Sequence, residues 1–429
     1  MPAWPSNGAE GEGVAMRTVL FIAYNFPPAG GAGVQRSLKF VKYLTQFTWH
    51  PVVITTTANA YPVRDESLWA DVPADVPVYR AKSYDINGLR PYFSRLKAGK
   101  VLSAINVALM LPDAALLWAR LARSTVQKAI EEHKPSLIYS SSGPASAHLL
   151  ASWTKTRFGL RWVADFRDPW SENRLIPYYP GYRTLNRRME HSVLSRADRV
   201  ITVTQPWAND LQRLSGARNQ SVLVIENGYD EGDVAPLPPR QTERFTMTYT
   251  GTFSRLRRPD ALVAAVDTLT STGEIPVDEI RVVIAGKDTS KYIPHRSPYE
   301  LRGYLDHSCL TELRQDSDLL LLIQDPSPEN RGAFSGKIYE YLGSNRPTLA
   351  ISHPENVAAQ LIDRARAGRI VHHDPSEIAA AILHYYTCWK TRSFDYSPQW
   401  EIIQEYTRRN LTKRLAAEFD RLTDSDTDV

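Results

Sequence analysis

Cysteine is scarce in this chain, with only Cys309 and Cys388 in 429 residues. They share no CxxC spacing and form no disulfide framework, so a small disulfide-held scaffold is excluded and a reducing, cytoplasmic setting is expected. Charge of one sign is also lacking. The 51 Lys and Arg against 47 Asp and Glu leave a formal net charge of +4, mixed along the chain with local basic clusters only. A nucleic-acid binder concentrates positive charge in a stripe, so no nucleic-acid partner is expected. A long uninterrupted apolar run is missing too. The most apolar stretch, 101–122, is broken by Pro112 and Asp113. A spanning helix needs about 20 apolar residues, and an ionised Asp near its middle is expensive. The stretch therefore reads as two helical pieces. Residues 1–16 hold no apolar core of a secretory signal, and their Pro, Gly and Glu read as a flexible lead-in.

What is present is a large apolar content arranged in alternation. Hydrophobic residues make up 43% of the chain, and single cores stop growing at roughly 250–300 residues, so two domains are expected. In the first half, β-branched runs at 18–24, 51–56, 76–81, 136–141, 161–166, 199–204 and 221–227 alternate with helical patterns at 33–47, 114–132, 145–157 and 183–196. Runs apolar almost throughout are those of parallel strands covered on both faces, and the alternation means βαβ units. The Pro-rich segment 236–244 breaks the pattern as a linker. The alternation restarts with strands at 246–251, 279–286, 318–324, 346–352 and 369–373. Helical patterns at 258–270, 335–343, 355–365 and 376–385 lie between and after them. The expected class is α/β, with a Rossmann-like domain at 17–235 and a second at 245–397. A last helix is expected at 398–420, with Trp400, Ile402, Ile403 and Tyr406 as its apolar stripe. A disordered tail is expected at 421–429.

Open parallel sheets bind ligands at the carboxyl ends of their strands, and the candidate residues cluster there. Gly30, Gly31 and Gly33 follow the first strand and precede a helix. Glycines permit close backbone approach, and the helix start offers free N–H groups to phosphate. The spacing is neither GxGxxG nor the Walker pattern, and a purely structural tight turn is the alternative. Arg36, one turn on, is a second candidate for the same anion. Asp165, Arg167 and Asp168 end the strand at 161–166, either as an ion-pair network that fixes the loop or as groups that bind an acceptor hydroxyl. His148 lies in a helical pattern and reads as an acceptor contact or as a structural histidine. Arg255, Arg257 and Arg258 follow the strand at 246–251, and Lys287 follows the next; together they make a diphosphate clamp or a solvated basic loop. Ser335 and Gly336 open the helix at 335–343, whose free amides face a phosphate in the functional reading. Lys337 and Glu340, three apart, share one side of it. Glu340 is placed to hold vicinal ribose hydroxyls, or else forms a loop salt bridge.

These segments, YNFPPAGGAG, VADFRDPW, VIENG, YTG and SGKIYEYLG, occur in the order and spacing of the family 4 glycosyltransferases, which the chain resembles from Met16 to about Leu415. The likeness is to a branch with an FRDPW-type motif. The resemblance implies a GT-B fold, two Rossmann-like domains facing across a cleft. It also implies a retaining, metal-independent transfer of a hexose from a UDP-, GDP- or dTDP-sugar. Gly30, Gly31 and Gly33 then form the amino-domain loop near the donor phosphates and acceptor, with Gly31 and Asp168 at the reacting centre. Arg255 and Lys287 stand for the basic pair at the diphosphate, and Glu340 for the second glutamate of an E-x7-E motif. The first glutamate falls on Gly332, which has no side chain, with Glu329 the only nearby substitute. The last helix is implied to cross back to the amino-terminal domain.

With no evident nucleophile, retention implies front-face attack in which the leaving diphosphate takes the acceptor proton. No Asp-x-Asp stands where a metal-dependent sugar transferase places it, so no essential divalent ion and no cofactor are expected. The acceptor class stays open among a glycan, a lipid-linked sugar and a small molecule. Tyr92, Phe93, Arg95, Lys97 and Lys100, followed by the apolar stretch 101–111, read either as a solvated helical excursion or as a peripheral contact with an anionic inner membrane surface. The other functional classes are a nucleotide-sugar epimerase or phosphorylase of similar shape, and a non-catalytic nucleotide-sugar binding protein.

Overall fold

The computed structural model describes residues 16–83, 111–173, 181–216, 221–233, 242–305, 307–327, 332, 335–393 and 396–424. Nearly all of the expected lead-in, residues 236–241 of the linker, the basic–aromatic cluster at 92–100, Glu329 and the last five residues lie outside them. By contacts the chain forms two compact units. The first comprises the described residues of Met1–Val203, Ala208–Ile225 and Thr412–Val429; the second comprises those of Thr204–Trp207 and Glu226–Leu411.

The first unit holds a seven-stranded sheet in the order β3-β2-β1-β4-β5-β6-β7. Its strands are β1 (Arg17–Ile22), β2 (Trp49–Thr56), β3 (Val78–Ala81), β4 (Leu137–Ser141), β5 (Arg161–Phe166), β6 (Arg199–Thr202) and β7 (Leu223–Val224). Every pairing is parallel. The helices between them are α1 (Ala32–Leu44), α2 (Leu116–His133), α3 (Ser146–Phe158), α4 (Tyr182–Arg196) and α5 (Gln205–Ser215). Val19 to Ile22 are wholly buried, as a strand sandwiched between helix layers requires. Ile22 pairs with Ile54 and Ser140, and Ser141 with Asp165, so the loops after these strands leave along one edge. The direction of chain progression reverses between β1 and β4, which makes their carboxyl ends the switch point where such sheets take ligands.

The second unit repeats the plan with six parallel strands in the order β10-β9-β8-β11-β12-β13. They are β8 (Phe245–Thr250), β9 (Ile280–Ala285), β10 (Tyr299–Gly303), β11 (Leu319–Ile323), β12 (Thr348–Ile351) and β13 (Gly368–Val371). The helices are α6 (Asp260–Ser271), α7 (His307–Gln315), α8 (Lys337–Gly343), α9 (Val357–Arg364), α10 (Pro375–Thr391) and the short α11 (Trp400–Gln404). The switch point here lies between β8 and β11. Sequence reading missed β10, because YELRG is an edge strand of mixed polarity with a half-exposed face. It also missed the short helices α5 and α7.

The carboxyl-terminal segment differs from expectation. Trp400, Ile402, Ile403 and Tyr406 pack with Tyr229, Ile338 and Tyr339 in the second unit's core. The residues that belong to the first unit come later, in α12 (Arg408–Asp424). There Phe419 meets Trp49 edge-on at 5.2 Å, Trp49 Nε1 donates to Asp420 Oδ1 at 2.9 Å, and Glu418 pairs with Arg199. The helix runs to Asp424, past the expected start of the tail at 421, held by Arg17 pairing with Asp420 and Asp424. Among the described residues no helix is long and apolar enough to cross a membrane.

Candidate functional site

At the carboxyl edge of the first sheet, Gly31 caps α1 with φ 90°, a left-handed angle that suits glycine. No side chain caps this helix start, so its first N–H groups are left for another partner. The loop is braced on one side: Gly30 N donates to Val63 O at 2.9 Å and Asp65 N to Pro28 O at 2.8 Å. A Cβ on Gly30 would stand 3.0 Å from Val63 Cγ1.

The charged residues beneath this edge are not all available. Asp165 is fully buried and takes both Nε (2.8 Å) and Nη2 (2.9 Å) of Arg36, with Tyr139 and Ser141 hydroxyls also donating to it. Burial pushes its carboxyl upward, but the facing Arg36 and the hydroxyls win and hold it below the usual range. Neither residue offers surface to a ligand, which corrects the expectation that Asp165 meets an acceptor and that Arg36 meets an anion. They pin α1 onto β5 instead. His148 is likewise enclosed. It pairs with Ser140 Oγ at 2.8 Å and lies 4.4 Å from the Phe166 ring, and burial pushes its pKa down to about 3. It is a neutral core residue and not an acceptor contact. Arg167 is turned inward, its guanidinium donating to Gly33 O and its Nε 3.4 Å from Asp168. Asp168, 56% exposed, is the carboxylate of the motif that faces solvent.

The second unit gathers its own set at the end of β8 and the start of α8. Gly251 has φ 132°, and a Cβ there would fall 1.4 Å from Lys337 Nζ. Lys337 therefore lies across the glycine, its ammonium 5.2 Å from the Tyr249 ring centroid. Tyr341 fixes α8 to the strand by accepting from Thr250 N at 3.0 Å. Among the described residues Lys337 has no ion-pair partner. Burial, with Arg257 nearby as a second lowering influence and Glu340 opposing, brings its pKa down to about 8. A buried ammonium with a second cation acting on it favours an anionic ligand. Among the described residues Glu340 is tied at one oxygen: Arg314 Nη1, fully buried, donates to Oε2 at 2.8 Å. The side chain is 30% exposed, so its other oxygen is left to accept.

The sequence reading placed Arg255, Arg257, Arg258 and Lys287 in one basic clamp, with Arg255 and Lys287 as the pair. Arg255 is exposed on the loop, and Lys287, also exposed, stacks 4.8 Å from the Tyr304 ring. Arg258 pairs with Asp260 at 2.5 Å. Arg257, half-buried, acts on Lys337 as a neighbouring positive charge. Gly336 caps α8 and Ser335 O accepts Ile338 N at 3.3 Å. The helix has only seven residues, so local positive charge here comes from Lys337 more than from a run of amides. Gly332 faces Trp207: a Cβ would stand 2.9 Å from its ring and 3.1 Å from Pro206. The indole fills the room that a glutamate would need. Gly251 and Arg314 were missed in the sequence; a glycine directly ending a buried strand was the available signal for the first, and none marked the second. Among the described residues no cluster of three His, Cys, Asp or Glu is arranged to hold a metal ion.

Residues 30–228 match a family model described as a glycosyl transferase 4-like domain. Curated protein sequences give no significant match. Solved structures of the same architecture include sucrose-phosphate synthase from Thermosynechococcus elongatus, 14% identical with TM-score 0.62, covering 95% of this chain and 100% of that one. A lipopolysaccharide outer core galactosyltransferase is 12% identical with TM-score 0.55, over 94% of this chain and 98% of that one. The UDP-GlcNAc 2-epimerase of Methanocaldococcus jannaschii, in complex with UDP-GlcNAc and UDP, is 10% identical with TM-score 0.50, over 95% of this chain and 100% of that one. The fold is GT-B: two parallel-sheet, Rossmann-like units, the first holding most of the residues that match the glycosyl transferase 4-like model.

Proposed function

We propose that the protein is a retaining glycosyltransferase that moves a hexose from a nucleotide diphosphate to an acceptor hydroxyl. The observation that carries this reading is the buried Lys337 ammonium lying across Gly251, with Arg257 acting on it, beside the half-used carboxylate of Glu340 at the switch point of the second sheet. A nucleoside diphosphate offers the complementary set: a diphosphate for the cations and two ribose hydroxyls for the free Glu340 oxygen. Arg314 holds the carboxylate in one orientation, which lowers the ordering cost on binding. The glycosyl transferase 4-like match over residues 30–228 supports a transferase over other users of such a site.

In the reaction the bond from the anomeric carbon to the diphosphate breaks, and the acceptor oxygen bonds to that carbon on the same face. The acceptor proton passes to the leaving diphosphate. Lys337 and Arg257 stabilise the charge that develops there, and Arg255, Lys287, Ser335 and Gly336 flank it. This charge stabilisation needs no divalent ion. The amino-terminal unit takes the acceptor, with the Gly31 amide and the Asp168 carboxylate directed at its hydroxyls. The acceptor is a glycan or a lipid-linked sugar met at the cytoplasmic face of an anionic membrane, through the cluster at 92–100.

The test is turnover of UDP-glucose, UDP-GlcNAc, GDP-mannose and dTDP-rhamnose, with and without EDTA. Hydrolysis or transfer from at least one, unaffected by EDTA, is expected. Failure to bind UDP, GDP and dTDP would sink the reading. A second reading, epimerase, is favoured by the fold shared with UDP-GlcNAc 2-epimerase and by Gly332. Epimer formation from UDP-GlcNAc without acceptor distinguishes it. Phosphate-dependent turnover marks a phosphorylase, and tight donor binding with no turnover marks a binding protein.

A further inference from the structure

Arg167 stands one residue past β5 in a place where a guanidinium is costly to house. Its backbone N donates to Ser142 Oγ at 3.1 Å. Its Nη1 donates to Gly33 O in the first turn of α1, and its Nη2 reaches Gly143 O, after β4, at 3.5 Å. Gly143 O also accepts Asn25 Nδ2, from the loop after β1, at 2.6 Å. A Cβ on Gly143 would fall 2.4 Å from Nη2, and one on Gly33 would fall 3.2 and 3.3 Å from Nη2 and Nη1. Both neighbouring loops therefore lack side chains where the guanidinium lies. The fork ties the end of β5 to the segment after β4 and to the first turn of α1, and Asn25, after β1, joins through the same Gly143 carbonyl.

An arginine that received a ligand anion would present its donors to solvent. This one is 15% exposed, its two terminal nitrogens face backbone carbonyls, and its buried Nε lies 3.4 Å from Asp168 with no hydrogen-bond partner among the described residues. We propose that Arg167 is a positioning residue: it sets the shape of the Gly30–Gly33 loop and the direction of the Asp168 carboxylate, and does not itself touch the acceptor. A planar group with several donors spans two carbonyls at once, so lysine does not replace it. The functional half of this inference rests on the transferase reading; the latch itself does not.

The test combines kinetics with a double-mutant cycle. Arg167→Ala and Arg167→Lys are expected to lower kcat for the nucleotide sugar turned over in the panel by about tenfold or more, with the dissociation constant for UDP, held by the other unit, changed by less than about twofold. Gly33→Ala crowds the guanidinium in the wild type, so it should lower kcat alone and add little in the Arg167→Ala background, where the space is vacant. Gly33 is chosen over Gly143 because Gly143 has φ 83°, where any side chain is strained. Wild-type kcat in Arg167→Lys, additive effects of Gly33→Ala and Arg167→Ala, or a raised acceptor KM at unchanged kcat would each overturn the proposal. Should the wild type turn over no nucleotide sugar, the transferase reading fails separately. The cycle is then read in thermal denaturation of the amino-terminal unit, where non-additive shifts support the latch and additive shifts overturn it.

Discussion

Glu340 and Lys337 are three residues apart on one short helix, yet their surroundings give them different chemistry. Arg314 occupies one oxygen of Glu340 and leaves the other. Glu340→Gln keeps the shape but weakens a charge-assisted contact, so UDP binding should lose about 1.5–3 kcal/mol, measured by calorimetry. Unchanged affinity would mean that Glu340 serves Arg314 alone. Lys337 is lowered to about 8 by burial and by Arg257, so its ammonium persists below that pH and is lost above it. An anionic ligand binds the charged form, so UDP affinity should fall as pH rises from about 7 to 9, and Lys337→Met should be weaker and flat across that window. A wild-type profile without this slope would refute the assignment of Lys337 to the diphosphate. Gly332 belongs to the same scale. Read alone it is a missing glutamate; in the structure it is the residue that makes room for Trp207.

Among the elements, α11 shows how a periodic pattern is read correctly as a helix and wrongly as an interface. The stripe at 400–406 is apolar at helical spacing, but a stripe does not say what it faces. It packs on Tyr229, Ile338 and Tyr339 in the second unit, while Leu415 and Phe419, less conspicuous in sequence, are the fully buried residues in the first. Phe419 touches both Trp49 and Tyr139. Phe419→Ala should therefore destabilise the amino-terminal unit by about 3–5 kcal/mol, seen as an earlier thermal or urea transition of that unit. A shift confined to the carboxy-terminal unit would contradict the packing. The same limit applies to α8. Its start, its Lys and its Glu were legible in sequence, but the cation it faces was not, because that cation comes from the loop after β8.

For the whole molecule, net charge is close to balanced, so any membrane attachment must come from a local patch. Each Lys or Arg near an anionic surface contributes about 1 kcal/mol, which makes such binding reversible and salt-sensitive. Wild type should float with anionic vesicles at low salt and be released at high salt, and the combined Arg95→Glu, Lys97→Glu and Lys100→Glu variant should stay behind. Wild type that never floats favours a soluble acceptor and leaves the transferase reading intact. The sequence by itself determined the α/β class, the parallel strands and the concentration of candidate groups at strand ends, because these follow from apolar period and chain order, which are local. It also showed the glycine loop and the Lys337–Glu340 pair, which are close in sequence. Only the tertiary structure decided which charges are spent on one another. Asp165 and Arg36 are 129 residues apart and pair fully buried, while Arg167 reaches back 134 residues to Gly33. Whether a carboxylate is a ligand group or a strut depends on what lies within about 3 Å of it and on how much water remains, and neither is written in its neighbours along the chain.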